Sequence, residues 1–597
     1  MEAVRVSDFI ADFIHKQGVN HVFMVTGAGI MHLTDGVVSH PDLNYMCTHH
    51  EQSASMALEA YSRANQNLGV GYFTTGPGAT NAITGLAGAW QDSVPCLFIS
   101  GQSKRSEASI NTDIKGLRQY GVQELNVIPI VESITKYAKI LNEPNQIAYE
   151  LEKAIHIAKS GRPGPVWLDI PMDVQGASIN LEDLAHFVPD TEKPSKVNPE
   201  SITTLKSLIE KSKRPAIIAG RGVSLSGAKK NLEKLSSTLN IPCVTPYLGI
   251  DNFEYECPTY IGKTGIKGDR PANYTMQNSD LIIAIGTSLH VSVIGYNYSQ
   301  FAREASKVVI DIDMTSHQKK TLTFDLAIES DADLVISSLN RQRIKPKDES
   351  WLNRCQQWKK KYPVCIDEYQ KDKSPLNIYS VVDEVCKKSE PSDIFISDAG
   401  SAFYAVSQGI KLKKDQLYIP SSAMATMGYS LPGAIGAAAA SPDKRIIAFT
   451  GDGSLQQNIQ ELSVLAEYNM NIKLFILDND GYLSIRNSQR NYFDGRYIGE
   501  STGSGLRFPC IDQISAAYGL KCIQLENIDS IEKVLDEVLR EKGPVICNVI
   551  CQPNQAIVPT VSSKVNEDGT MESRPLEDLA PFLSREEHRS NLLIPEI

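Results

Sequence analysis

The sequence contains no CxxC pair, although eleven cysteines are scattered among its 597 residues. Their odd number and irregular spacing indicate neither a disulfide framework nor a zinc site. No apolar run approaches the ~18 residues that a membrane-spanning helix needs. The N-terminal stretch MEAVRVSDFIADFIHKQGV has the pattern of an amphipathic helix rather than of a signal peptide. These absences predict a reduced, cytoplasmic protein without a membrane partner.

An excess of basic residues is also missing. The chain has 59 Lys and Arg against 70 Asp and Glu, a net charge of −11, which argues against general binding of nucleic acid. Hydrophobic residues make up 42% and charged residues 22%, proportions typical of folded proteins rather than disordered ones. At about 150 residues per domain, the length predicts roughly four units.

Short apolar runs that end in Gly, Asp or Asn alternate with helical patterns along most of the chain. Examples are VGYFTTGPG, LIIAIGTS and RIIAFTGDG. Such runs are typical of parallel strands that are buried on both faces and separated by crossover helices. They predict an α/β fold of doubly wound parallel sheets, with ligands beyond the carboxyl ends of the strands.

Changes in composition divide the chain into three blocks and a tail. We expect a first domain over residues 1–185, a central domain over 199–340, a third domain over 374–556 and a C-terminal tail over 557–597. The mixed polar and apolar tail suits two roles that the sequence does not separate. It could be a flap that closes over an active site, or an arm that packs in an oligomer.

The most informative local signal is a pair of turns that follow two apolar runs. One run enters Gly451-Asp452-Gly453-Ser454, and the next ends in Asp478-Asn479-Asp480-Gly481. In a parallel sheet, Asp452 and Asn479 would meet at neighbouring strand ends. Their oxygens and a nearby carbonyl suit Mg²⁺, and the glycines let backbone N–H groups approach phosphates. Either turn alone is ordinary, but the pair resembles the motif that binds thiamin diphosphate (ThDP).

A second signal lies in the first block, where His50-Glu51-Gln52 opens a helical pattern after the strand-like LNYMC. A Glu at such a place is commonly a partner of the helix dipole. Here the surroundings resemble the pyrimidine-binding domain of ThDP enzymes. By that resemblance, Glu51 hydrogen-bonds the aminopyrimidine ring and activates the cofactor.

Further segments extend the resemblance. FTTGPGATNAITGLAGAWQDSVPCLFISGQ is similar to the part of the family's first domain beside the pyrimidine, and SAMATMGYSLPGAIGAA to the part of its third domain that supports the bent cofactor. The match implies three sets of site residues. The catalytic set is Glu51, Gln123 and Gly29; the cofactor-binding set is Glu51, Thr75, Pro77, Asn81, Gly400, Ser401, Ala425, Met427, Gly451, Gly453, Ser454, Tyr482 and Leu483; the metal set is Asp452, Asn479 and Gly481.

The resemblance covers about residues 3–556 and is nearest to the acetohydroxyacid synthases, the large subunits of acetolactate synthase. It implies three α/β domains that bind the pyrimidine, occupy the centre and bind the diphosphate. It also implies a homodimer or homotetramer, because the family holds ThDP and Mg²⁺ between the first domain of one subunit and the third domain of another.

Three departures from that family concern the second substrate. Ser292 stands where the family carries an Arg that faces the acceptor 2-ketoacid, Met172 replaces the Lys of a DIPKD segment, and Ser488 replaces a Trp. A carboxylate acceptor needs a cationic partner, and its loss costs more than ~1 kcal/mol. The pattern therefore favours an acceptor without a carboxylate, although drift within a genuine acetolactate synthase would leave the same residues.

The central block contains Gly220-Arg221-Gly222 and Ile310-Asp311-Ile312-Asp313, where flavin-binding relatives hold FAD. Such turns also occur in domains of this shape that bind no nucleotide. The sequence leaves both alternatives open.

Together these features predict a ThDP- and Mg²⁺-dependent enzyme that decarboxylates a 2-ketoacid, most simply pyruvate. It would transfer the acyl carbanion to an aldehyde or ketone, for instance a keto-sugar. The alternatives are an acetolactate synthase, a simple decarboxylase or oxidase, and a non-catalytic subunit with the same fold.

Overall fold

The computed structural model describes residues 3–189, 197–371, 373–421, 423–565 and 571–595. Three six-stranded sheets organise them, and every strand pair within these sheets is parallel. Helices separate most consecutive strands. The predicted fold class, α/β with three doubly wound parallel sheets, is confirmed. Each of the three domain ranges that we propose contains one of the sheets.

With the strands numbered along each domain, the first and third sheets share the spatial order 2-1-3-4-6-5, whereas the central sheet has the order 3-2-1-4-5-6. In the first sheet they are Asn44–Cys47, His21–Met24, Gly69–Phe73, Cys96–Gln102, Val166–Pro171 and Tyr137–Ile140. In the central sheet they are Tyr260–Lys263, Cys243–Thr245, Pro215–Ala219, Leu281–Ile285, Ser306–Asp311 and Leu326–Glu329. In the third sheet they are Leu417–Pro420, Ile394–Ser397, Ile446–Gly451, Ile472–Asp478, Val545–Ile550 and Lys521–Leu525.

The helices cover these sheets. Those of the first domain are Val6–Lys16, Met31–Ser39, Glu51–Asn65, Pro77–Asn81, Ile83–Gln91, Ile128–Val131, Ile147–Lys159 and Met172–Gln175. Those of the central domain and connector are Pro199–Lys211, Arg221–Leu225, Lys229–Leu239, Arg270–Gln277, Val291–Ile294, Ala332–Asn340 and Glu349–Lys361. Those of the third domain and tail are Ile378–Lys388, Gly400–Gly409, Ser430–Ala440, Asp452–Leu455, Leu462–Tyr468, Leu483–Tyr492, Ile511–Ala517, Ile531–Arg540 and Arg585–Ser590. Within the described ranges, no helix is both long and apolar enough to cross a membrane.

The register of the third sheet brings the two predicted turns together. Strand Ile446–Gly451 lies beside strand Ile472–Asp478, with Gly451 opposite Leu477. Both strands consist mainly of buried apolar residues, as expected for a sheet covered on both faces. The turns that begin at Asp452 and Asn479 therefore leave the same edge of the sheet.

Two helices of small residues join the first and third domains. Glu51–Asn65 packs along Ser430–Ala440, and the two domains share one apolar core. The backbones touch: a Cβ at Gly436 would lie 1.9 Å from the carbonyl oxygen of Ala57. The sequence SLPGAIGAAAA thus serves close helix packing, which larger side chains would prevent.

A buried ionic network lies beside this helix pair. Arg63 contacts Glu59 at 3.2 Å and Asp92 at 3.6 Å, and it donates a hydrogen bond to the Pro420 carbonyl at 2.9 Å. The hydroxyl of Tyr429 donates to Glu59. The charges are therefore paired within the first domain, as buried charges must be, and the hydrogen bonds with Pro420 and Tyr429 connect them to the third domain.

The described part of the tail packs on the central domain. Glu577 is fully buried, accepts from Arg303 at 2.7 Å and accepts from Gln277 at 2.6 Å. Leu576 joins a core cluster of the central domain, and its carbonyl accepts from Asn273. Residues 571–595 therefore pack on the central domain of their own chain, and the two roles suggested by the sequence, a flap over the active site and an oligomer arm, stay predictions.

The connector helix Glu349–Lys361 forms the other wall of this contact. The indole of Trp358 donates to the Asn591 side chain at 2.8 Å, and Asn591 in turn donates to the Tyr362 hydroxyl at 2.8 Å. His588 lies 3.2 Å from the Tyr274 hydroxyl. The tail thus contributes polar side chains to a core that it forms together with aromatic residues of the central domain and the connector helix.

We expect Glu577→Gln to destabilise the central domain. The change leaves the buried Arg303 without its ionic partner, which costs about 3 kcal/mol or more and lowers the thermal midpoint by roughly 6–12 °C for a domain of this size. Asp494→Asn, in an ion pair with side chains 72% and 90% exposed, is the control and leaves the midpoint nearly unchanged. Equal midpoints for the two variants, by calorimetry, would show that the pair contributes little.

Candidate active site

The catalytic set predicted in the first domain lies around the ends of two neighbouring strands. The Gly29 N–H donates to the Thr74 hydroxyl at 3.1 Å, and a Cβ at Gly29 would lie 2.1 Å from the Thr75 hydroxyl oxygen. Gln123 has a positive φ of 57°, and a Cβ at Gly76 would lie 2.3 Å from the Gln123 carbonyl oxygen. The structure therefore brings Gly29, Thr75 and Gln123 into one cluster.

Glu51 borders the same cluster. It is the first residue of its helix, which His50 caps by accepting from the Gln52 N–H at 3.0 Å. The Asn81 side chain donates to Glu51 Oε2 at 3.0 Å, and a Cβ at Gly78 would lie 3.3 Å from Oε1. Asn81 thus orients the carboxylate, and the glycine leaves Oε1 room to meet a ligand.

In the third domain, one buried carboxylate that the sequence analysis did not single out organises the site. Asp398 accepts hydrogen bonds from the hydroxyls of Thr450 and Ser454 at 2.6 and 2.7 Å and from the N–H groups of Ala399 and Gly428 at 2.8 and 2.9 Å. Burial raises the pKa of Asp398, while these donors oppose the rise. The signal in the sequence was the strand end Ser397-Asp398-Ala399-Gly400, which parallels Thr450-Gly451-Asp452-Gly453.

The predicted metal residues meet as the register requires. The Gly481 N–H donates to Asp452 Oδ2 at 2.7 Å. The remaining oxygens, Asp452 Oδ1 and Asn479 Oδ1, are both buried without a hydrogen-bond partner. Unpaired buried oxygens of this kind are costly unless a cation satisfies them.

The electrostatics agree with a cation at this place. Burial, reinforced by the nearby Asp478, raises the pKa of Asp452 to about 7. A divalent ion would hold the carboxylate ionised. The described residues contain no cluster of three His, Cys, Asp or Glu side chains for a metal. One carboxylate, one amide and one carbonyl suit Mg²⁺, which usually retains water and phosphate ligands.

A buried arginine supports the metal loop and was not predicted from the sequence. Arg486 donates to Glu500 at 2.6 Å and to the Asn479 carbonyl at 3.1 Å, and it also donates to the Asp480 carbonyl. The Glu500 carbonyl accepts from the Tyr482 N–H at 2.7 Å. Nothing in the local pattern pairs Arg486 with Glu500, because their contact depends on the fold of the intervening loop.

The other predicted cofactor residues differ in their contacts and in their exposure. The Ser454 hydroxyl accepts from the Gly428 N–H at 3.0 Å, and the Tyr482 ring packs over Gly453. Ala425 is exposed and has a positive φ of 49°, and Met427 is half-buried. The remaining predicted residues lie at the ends of helices and strands. Pro77 begins the helix Pro77–Asn81, Gly400 begins the helix Gly400–Gly409 and is followed by Ser401, Leu483 begins the helix Leu483–Tyr492, and Gly451 ends the strand Ile446–Gly451.

The three departures occupy different surroundings. Ser292 is exposed, and its N–H donates to the His290 ring at 3.2 Å. Ser488 lies on the helix Leu483–Tyr492 and bonds within it, to the Ser484 carbonyl. Met172 begins the short helix Met172–Gln175. None of these side chains supplies a positive charge.

Several residues of the flavin-like turns in the central domain have contacts within the chain. A Cβ at Gly222 would lie 2.5 Å from the Gly286 Cα, so the glycines permit close backbone packing. Asp313 accepts from Arg162 at 3.2 Å, and Asp311 lies 3.3 Å from His317. Arg221, in the same turn as Gly222, differs, because its Nε is buried without a hydrogen-bond partner, and both alternatives for FAD stay predictions.

Comparison with known proteins identifies each part of this architecture. Family models described as "Thiamine pyrophosphate enzyme" match three segments: the N-terminal TPP binding domain at residues 4–130, the central domain at 202–339 and the C-terminal TPP binding domain at 398–549.

Similar proteins extend the match over nearly the whole chain. It is 31% identical over 570 residues to the acetolactate synthase large subunit of Cyanidium caldarium, covering 93% of this chain and 94% of that protein. It is 31% identical to the probable acetolactate synthase large subunit of Methanocaldococcus jannaschii, covering 93% of both chains. It is 28% identical to the acetolactate synthase isozyme 1 large subunit of Escherichia coli, covering 93% and 95%.

We expect Asp398→Asn to weaken binding of ThDP with Mg²⁺ by at least about tenfold, because the amide cannot accept from all the donors that position the glycine turns. Asp393→Asn is a matched control. Asp393 is also buried, precedes the opposite end of the strand Ile394–Ser397 and pairs with Arg445 at 2.7 Å.

Titration calorimetry of the two folded variants makes the comparison. If both lost affinity equally, general destabilisation rather than the position of the turns would be responsible.

Proposed function

Because the chain belongs to the thiamine pyrophosphate enzymes and is of the acetolactate synthase type, we propose that it decarboxylates a 2-ketoacid. The 2-ketoacid is pyruvate in the simplest case, and the acyl group is transferred to an aldehyde or ketone. The observation that carries the choice of acceptor is Ser292. Its short, exposed side chain stands where the resemblance to acetohydroxyacid synthases places an Arg for a second ketoacid. A carboxylate would find no bidentate partner there.

The third domain would hold the cofactor through a metal ion and through backbone turns. We propose that Asp452, Asn479 and the Gly481 carbonyl bind Mg²⁺, and that the turns at Gly400 and Gly451–Ser454 bind the diphosphate. When bound, ThDP supplies an electron sink for the pair left by departing CO₂, and Mg²⁺ neutralises its diphosphate. The unpaired oxygens of Asp452 and Asn479 support this assignment.

Glu51 would exchange a proton with the pyrimidine. Because Asn81 occupies Oε2, the proton is carried at Oε1, beside Gly78. Gln123 and Gly29 lie around the same pocket and would orient the ring and the substrate. Holding an acid–base group within hydrogen-bond reach contributes about 10²–10⁴-fold to such reactions.

We include no flavin step in the proposal. The glycines and aspartates that suggested FAD pack against backbone or bond to Arg162 and His317.

The second candidate function is acetolactate synthesis from two molecules of pyruvate, which the names of the similar proteins favour. A simple decarboxylase or an oxidase, and a non-catalytic subunit, are further outcomes of the tests below.

We propose that the active form is a homodimer or homotetramer, as the family resemblance implies. Residues of the loop that leads to Gln123 carry exposed apolar side chains, with Ile114 64% and Val122 84% exposed. Burial of such residues against a second subunit would exclude water from the pocket.

The acceptor is tested by product analysis. We expect the protein with ThDP, Mg²⁺ and labelled pyruvate to form little acetolactate and to form carbon–carbon bonds with one or more members of an aldehyde and keto-sugar panel, detected by mass spectrometry. Rapid acetolactate formation would instead assign the second candidate function. Oxygen consumption with pyruvate would identify an oxidase, and CO₂ release that no acceptor diverts would identify a simple decarboxylase.

A variant of Glu51 tests whether the chain is catalytic. Glu51→Gln keeps the size of the side chain but removes its proton exchange, so CO₂ release from pyruvate should fall about 10²–10⁴-fold. Glu107→Gln, at an exposed Glu of the same domain, is the control and should retain the rate. A chain that releases no CO₂ even with its native Glu51 would be the non-catalytic subunit.

A further inference from the structure

One segment is not used by the function proposed above: the loop that follows strand Tyr260–Lys263 and leads to the helix Arg270–Gln277. It carries Lys267, whose Nζ lies 4.8 Å from the ring centroid of Tyr404. Tyr404 belongs to the helix Gly400–Gly409, one turn beyond the proposed diphosphate turn at its start. Lys267 therefore lies at the boundary between the central and third domains, beside the cofactor half-site.

The backbone at Lys267 is fixed to the third domain. Its carbonyl accepts from the Tyr247 hydroxyl at 2.6 Å and from the Gln408 side chain at 2.8 Å. On the preceding residue, the Ile266 carbonyl accepts from the Val561 N–H at 2.7 Å. The loop is thus held by the central domain, the third domain and the tail, so its lysine has a defined position.

The ammonium group of Lys267 has no ionic partner within the residues that the structure describes. Burial lowers its pKa to about 8, and no carboxylate opposes that effect. Its neighbour Lys263 differs, because the Lys263 ammonium donates to the carbonyls of Gln408 and Ile410 and so is used by the fold. A half-buried ammonium that retains unused donors is suited to an anionic ligand.

The same loop contacts the position where the resemblance places the acceptor Arg. The Ile266 N–H donates to the Ser292 carbonyl at 2.8 Å, and a Cβ at Gly265 would lie 2.2 Å from that oxygen. The chain thus lacks a cation at Ser292 but has one on the loop packed against it. The Tyr404 ring beside this cation belongs to an aromatic group, since Tyr247 lies 6.3 Å from Tyr404 and packs edge-on against Phe403.

We propose that Lys267 binds a phosphate group of the second substrate, which is then a phosphorylated or nucleotide-linked aldehyde or ketone. This inference rests on the proposed function. A lysine is a compact charge that suits a phosphate, whereas the planar fork of an arginine suits a carboxylate. The Tyr404 ring beside the ammonium favours a ligand with an apolar or flat face next to its charge.

Binding without turnover tests the proposal. The ThDP- and Mg²⁺-loaded full-length protein is titrated calorimetrically with glucose 1-phosphate, UDP and the uncharged controls glucose and uridine. We expect a phosphate-bearing probe to bind at least about tenfold more tightly than its uncharged control, and Lys267→Met to remove that preference. Which probe binds distinguishes a sugar phosphate from a nucleotide. Lys267→Arg should retain part of the affinity.

Lys320→Met, at an exposed lysine of the central domain, is the matched control and should bind like the native protein. The affinity of Lys267→Met for ThDP is measured in parallel. If neither phosphate probe binds, if both bind Lys267→Met as tightly as the native protein, or if the variant instead loses ThDP, the proposal is wrong. Because these titrations involve no reaction, their outcome is independent of which product the enzyme forms.

Discussion

The buried carboxylate of Asp398 is the interaction on which the third-domain site depends. It accepts from two hydroxyls and two backbone N–H groups that belong to three separate turns. A buried charge is tolerated only when donors surround it. These turns must therefore fold together, and the glycines proposed to bind the diphosphate and the oxygens proposed to bind Mg²⁺ take their positions relative to one fixed anion.

The sequence predicted those parts of the site that follow from strand order and local pattern. Because parallel strands present their carboxyl ends at one edge, Asp452 and Asn479 could be expected to meet, and Gly481 indeed donates to Asp452. Asp398 was not predicted, because Gly428, Thr450 and Ser454 donate to it from other turns of the domain. Arg486 was not predicted either, because its contact with Glu500 depends on the fold of the loop between them. The pairing of Glu577 with Arg303 was not predicted either, because the two residues lie far apart in the sequence.

The first and third domains depend on each other through contact between helix backbones. Small residues let Glu51–Asn65 approach Ser430–Ala440, and the paired charges of Glu59, Arg63 and Asp92 are buried beside them. The helix that carries Glu51 is thereby oriented by the domain that carries the metal residues. A hydrogen bond of 2.9 Å from Ser53 to Asn458, which itself donates to the Gly428 carbonyl, continues this connection to the turn at Asp398.

The docking of the tail has a consequence for how such enzymes diversify. The central domain has core clusters of its own, apart from the core that the first and third domains share. Yet Leu576, Glu577 and Asn591 complete it from beyond the third domain in the chain. In a chimaera that exchanges the central domain between relatives, the tail would have to be exchanged with it. Recombination can therefore exchange the central domain and the tail as one module, while the first and third domains, which share their own core, are inherited unchanged.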